Sequence, residues 1–280
     1  MVKQLVQFAG YFLAIGALGF RFGVVRKTLS DEARRVLRPD KATLFGMLGI
    51  FLLALSLIGG LYAEAFARQV VVSELLPTAK MAAFEFKLAM FAFAIVGFRL
   101  VPKSSSLGWA IAGIAILLLV LQPLYTGKLA GKVNAVHILA ASTWLGTLLV
   151  LTLVGVRGVA KSGATGLQRT ELIRDLVNSF SPIALTAATI VVITGATTAW
   201  LHLKRFSALY TTGYGIALIV KLILVAIVVA LGAWNWKRVR PTLGDEGSDL
   251  AIRRSATMEL AFAALVLIAT SVLVTLPSPK

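Results

Sequence analysis

The sequence contains no cysteine, only 2 histidines and only 12 acidic residues against 28 lysines and arginines. Without cysteine there can be no disulfide, no thiolate metal site and no iron–sulfur cluster. Phosphate-loop, zinc-protease and nucleophile-elbow motifs are missing as well; "TGK" at 126–128 lacks the first glycine and the following Ser/Thr of a phosphate loop. No hydrolytic or phosphoryl-transfer enzyme is read from this chain. Charge is scarce too, with 14% charged residues against 58% hydrophobic ones.

What the chain does have is long apolar runs. Mean hydropathy is +0.88, far above that of an ordinary water-soluble domain, and runs long enough to cross a hydrocarbon core of roughly 30 Å recur throughout. Eight are counted, at about 5–25, 42–62, 80–101, 108–126, 133–156, 181–202, 214–236 and 255–276. They are too long and too evenly apolar for barrel strands, which are about ten residues long and alternating. The expected fold is an all-α polytopic transmembrane bundle. The first run lacks a small-residue cleavage site and is followed by an arginine-rich stretch, so it reads as a retained span rather than a signal peptide.

A net charge of +16 in a soluble protein would suggest nucleic acid, but here its distribution is informative. Eighteen Lys and Arg fall in residues 21–41, 99–103, 157–174 and 237–254, and eight fall in the intervening connections and termini. The positive-inside rule then expects both termini outside, with the basic loops meeting anionic lipid on the cytoplasmic side. The bilayer is the expected partner and nucleic acid is not.

Connections are short. "PKSSSLG" at 102–108 reads as a turn between antiparallel spans. In "KSGATGLQRTELIRDLVNSFSP", Leu172, Ile173, Leu176, Val177 and Phe180 share a helical face. That segment is either a short interfacial helix or the first turns of the next span.

Topology brings the two histidines to the outer face. His137 lies near the start of the fifth span, inside "AVHILAASTWLGTLLV", and His202 at the end of the sixth. Imidazoles at matched depth on antiparallel helices suit either a shared metal ion or the axial positions of a b-type haem; alternatively His202, beside Lys204 and Arg205, is an interfacial polar residue. His137 is inside a span, where ionisable groups are costly and usually functional. Trp144, seven residues on, either walls a site or packs in a helix interface. Of Met47, Met81, Met90 and Met258, which lie in or beside spans, only Met81 is close to that face. Within the spans, Glu85 and Lys221 fall at similar depth, which makes an ion pair possible. Lys87 points away from Glu85. Glu259 enters the last span from the cytoplasmic side; a proton or cation relay could use it with Glu85, or it could register helices.

Four segments, in order, resemble the CopD-type copper resistance and copper transport membrane proteins. "HILAASTWLGTLL" is similar to the family's His-x-x-Ala-Ala-x-x-Trp-Leu-Gly segment and holds His137, Trp144 and Gly146. "FSPIALTAATIVVITGATTAWLHL" carries Phe180, Ser181 and Gly195. "YGIALIVKLILVAIVVALGAWNWKRVRP" carries Lys221, Leu222, Asn235 and Arg238. "IRRSATMELAFAALVLIATSVLVTLPSP" carries Arg253, Arg254, Glu259 and Pro277. The resemblance covers 133–280, setting a CopD-like four-span half against an N-terminal four-span half at 1–132, similar only in hydropathy.

The resemblance implies a multi-pass bacterial inner-membrane protein handling copper between periplasm and cytoplasm. In that reading His137, with His202 and Met81, would capture the metal, and Glu85, Lys221, Trp144 and Glu259 would line the path. A periplasmic copper-binding protein or a larger membrane complex would be the partner. Many relatives carry Gly-His-Ala before the fifth span, whereas this chain reads "YTGKLAG", with Lys128 at the histidine's position. Two readings stay open beside copper transport: a haem b electron-transfer subunit held by His137 and His202, and an accessory subunit that keeps the bundle without metal chemistry.

Overall fold

Apolar length dictates the architecture, because in lipid a backbone must satisfy its own hydrogen bonds, and a helix does so within a single segment. The computed structural model describes residues 1–25, 39–75, 78–161, 166–203, 205–235, 237 and 248–277. Eight of its helices are long and apolar enough to cross a membrane, matching the eight runs expected. They are α1 (Val2–Leu18, continuing as a π-helical stretch Gly19–Val25), α2 (Ala42–Arg68), α3 (Thr78–Leu100) and α4 (Ser105–Thr126). Then come α5 (Leu129–Ala160), α6 (Gly166–Leu203), α7 (Gly213–Trp234) and α8 (Ser248–Leu273). No strand occurs among the described residues.

Local chemistry sets the ends. Gln69 closes α2 in the left-handed region, φ 54°, its N–H turned back to the Ala65 and Phe66 carbonyls. Ser104, in extended backbone, precedes α4 after the turn that Pro102 begins. Thr212 caps α7, its hydroxyl accepting from Gly215 N at 3.0 Å.

α6 decides the alternative left open for residues 172–180. The helix runs unbroken for 38 residues through Pro182, about 57 Å at 1.5 Å per residue and far more than a bilayer core needs. Ile173 and Leu176, fully buried, belong to the main core. The segment is therefore the first turns of the sixth span, extended beyond it, and not a separate helix. Lys204 and Arg238 lie outside the described residues.

The centre of the bundle is the seam between α1 and α5. Gly16 faces Gly146 so closely that a side chain on either would run into the other helix's backbone, and Gly146 also meets the Phe12 carbonyl. Small residues permit this approach, and dispersion across it holds helices together where lipid supplies no hydrophobic drive. The seam joins the first span to the fifth, so the N-terminal four spans and the later ones share one core. A second seam brings Gly97 of α3 against Gly108 and Ala112 of α4. There Trp109, 1% exposed, meets Phe98 edge to face with centroids 5.4 Å apart.

Candidate functional site

α5 is not a plain helix. It is α-helical over Leu129–Ala141, π-helical over Ser142–Gly146, and π-helical again over Leu151–Val156. A π-helical turn widens the coil and changes the register of the residues beyond it. His137 rests against α6, whereas Trp144, 7% exposed, joins the central core near α1. Seven-residue spacing would have put them on one face of a regular helix.

The His137 imidazole is held in a defined way. Its Nδ1 lies 2.9 Å from Thr194 Oγ1, and that hydroxyl lies 2.6 Å from the Ile190 carbonyl. The carbonyl can only accept; with the threonine proton on Ile190, as the shorter contact favours over Val191 at 3.3 Å, the hydroxyl oxygen accepts from His137 Nδ1–H. Nε2 then carries the lone pair, the arrangement in which a histidine ligates metal. Gly195 makes the contact possible: a Cβ there would sit 3.4 Å from His137 Cε1.

His202 is organised similarly but elsewhere. Its Nδ1 donates to the Thr198 carbonyl at 2.8 Å, and the ring stacks on Tyr214, centroids 6.1 Å apart at 15°. His202 follows Thr194 by eight residues, about 12 Å of helical rise. Even with its ring folded back toward Thr198, the two imidazoles meet different levels of α6. Bridging one metal would need their nitrogens about 4 Å apart, twice a metal–nitrogen bond. The structure does not bring them together.

The remaining candidates separate likewise. Met81 and Glu85 are on α3, which packs against α4 and α2, and Glu85 is exposed. Lys221 is on α7, whose main neighbour is α8, and no ion pair joins it to Glu85 among the described residues. Lys128 is exposed at the N-cap of α5, nine residues and about 13 Å from His137. Among the described residues no three His, Asp or Glu side chains cluster as a metal site.

A polar cluster that the sequence did not single out as a unit joins α7 to α8. Glu259, 5% exposed, accepts from Asn235 Nδ2, and Ser255 Oγ donates to Asn235 Oδ1. Asn235 thereby uses both ends of its amide, so its orientation is fixed by the network. Spacing could not have linked residues 235 and 259, because the connection between the two helices sets their register. Thr194 went unnoticed for the same reason: one threonine among several on α6 is distinguished only by what faces it.

These features define a class, a multi-pass helical membrane protein with one half-buried imidazole between α5 and α6 and one carboxylate–amide cluster between α7 and α8. Residues 174–273 match the family described as Copper resistance protein D, in accord with the resemblance read from the sequence motifs. The matched residues include Lys221, Asn235 and Glu259, while His137 precedes them. The chain is also 27% identical over 235 residues to the Copper transport protein CutJ of Bacillus subtilis (strain 168), an alignment covering 79% of this chain and 41% of that protein. The chain thus spans about two fifths of the length of that curated relative. No solved structure matches significantly.

Proposed function

We propose that the protein carries copper across the bacterial inner membrane, between periplasm and cytoplasm, as a transporter and not an enzyme. The observation that carries this reading is His137: an imidazole inside a membrane span, fixed by Thr194 so that Nε2 is the nitrogen able to ligate. The CopD-family segment and the similarity to a protein named for copper transport support copper as the cargo. A single nitrogen ligand makes capture weak, as transport requires, with His202 a second stop about two helical turns along α6. Met81, at the start of α3, would serve metal arriving at the same face. Glu259, with Asn235, would act near the cytoplasmic end as the group that accepts the departing ion or a counter-moving proton. Both termini outside and a periplasmic copper-binding partner complete this reading.

The test is elemental analysis for copper and iron on protein purified from copper-supplemented cells, together with copper flux in proteoliposomes, for wild type and His137→Ala. Copper that is retained or moved by wild type and lost in the variant is the expected result. Copper content and flux unchanged by His137→Ala would overturn the histidine site. Near-stoichiometric iron would move the reading to haem, and neither metal nor flux would move it to an accessory subunit of a larger complex.

A further inference from the structure

Away from His137, helices α1 to α4 enclose a cavity of about 170 Å3 whose polar lining is Lys3, Gln7, Tyr11, Ser56 and Lys87. Ser56 Oγ donates to the Lys3 carbonyl at 3.0 Å, which ties the start of α1 to α2. Gly60, one turn further along α2, accommodates the Lys3 side chain, since a Cβ there would lie 2.6 Å from Nζ. Gln7 hydrogen-bonds Tyr11 within α1. Lys87 lines the same cavity from α3, so that its ammonium and that of Lys3 share one space. Among the described residues no carboxylate lines the cavity, and the acid nearest in sequence, Glu85, is exposed.

Two cations facing one cavity repel each other, and the half-buried Lys87 is less well solvated than the exposed Lys3, a situation that proteins resolve with an opposite charge. Water alone could fill the volume, at about 30 Å3 each, but would not neutralise it. Gln7 and Tyr11 add neutral donors beside the ammonium groups, and a tetrahedral oxyanion uses several donors at once. We propose that this cavity binds a phosphate-type oxyanion, either free phosphate or the phosphodiester of an anionic lipid headgroup. Lys87 is the inner charge partner, and the exposed Lys3 stands at the mouth.

The proposal is independent of copper, and its experiment does not use the metal. Wild type, Lys87→Met, Lys87→Arg and the loop control Lys103→Met are reconstituted in nanodiscs of phosphatidylcholine. Thermal midpoint is followed during titration with inorganic phosphate, and in parallel with increasing phosphatidylglycerol in the disc. Wild type, Lys87→Arg and Lys103→Met should show a saturable rise. Lys87→Met, with wild-type circular dichroism, should lose about tenfold or more in apparent affinity, as expected for one charge-assisted contact. A rise with phosphate in phosphatidylcholine discs assigns the free oxyanion, and a rise only with phosphatidylglycerol assigns the headgroup. No saturable rise in wild type with either probe, or a rise that Lys87→Met keeps in full, overturns the site. Should Lys87→Met fail the circular dichroism check, loss of the rise in Lys3→Met supports the site, and its full retention overturns it.

Discussion

α5 and α7 are both long apolar helices, yet they serve the bundle in opposite ways. In its most apolar window α5 is 67% buried, whereas α7 is 11% buried despite the highest hydropathy of the eight. Hydropathy reports affinity for lipid or for a protein interior without distinguishing them. What separates the two helices is surface shape. α5 offers glycine and hydroxyl residues to α1 and α6, while α7 exposes Ile216, Val220, Leu222, Ile223 and Val229. His137 is therefore set in the most enclosed helix, where its orientation can be fixed. Lys221 lies on one of the least enclosed.

The comparison breaks most sharply at the seam. Gly146→Leu would force a branched side chain into the Phe12–Gly16 backbone, and should cost about 3 kcal/mol or more. The check is a large fall in thermal midpoint, or loss of monodisperse protein, in detergent. Next comes the α7–α8 cluster. Asn235→Leu removes the amide donor from buried Glu259 and should cost about 1–3 kcal/mol. Adding Glu259→Gln to that background should recover part of it, read as coupling in a double-mutant cycle. Thr194→Val leaves Nδ1–H of the half-buried ring without its acceptor and should cost about 1 kcal/mol, while weakening copper retention about 10–100-fold, the usual effect of removing a partner that orients a ligand. The smallest effect is expected on α7. Among the described residues nothing lies within 4 Å of a Cβ built on Gly232, so Gly232→Ala should be neutral or stabilising by up to about 1 kcal/mol. Destabilisation by Gly232→Ala comparable to Gly146→Leu would mean that α7 is covered in the working protein by a surface other than lipid.

Much of the fold was legible because a bilayer imposes one rule along the entire chain. Span number and most boundaries followed from apolar length, and "PKSSSLG" read as a turn. The sixth span was under-drawn because residues 166–180 are only half apolar, and its helix is held by burial of Ile173 and Leu176. The site was legible in kind more than in arrangement. His137 stood out because an imidazole inside a span is expensive. Its grouping with Trp144 assumed a regular helix, and the π-helical turn at Ser142–Gly146 breaks that assumption. The Glu85–Lys221 pairing assumed that equal depth implies adjacency, yet α3 and α7 belong to different neighbourhoods. Lys87 was set aside because it points away from Glu85. That same geometry turns it into the cavity shared with Lys3.

By itself the sequence determined that this chain is a helical membrane protein, with eight spans, a basic set of loops and a segment of CopD type. Those properties derive from composition, length and motif order, each of which is local. Only the tertiary structure decided that Thr194 holds His137, that Asn235 and Ser255 meet Glu259, that the two histidines occupy different levels, and that two lysines face one cavity. Such pairings depend on the rotation and register of each helix. Those are set by which small residues allow which helices to touch, and no single segment contains that information.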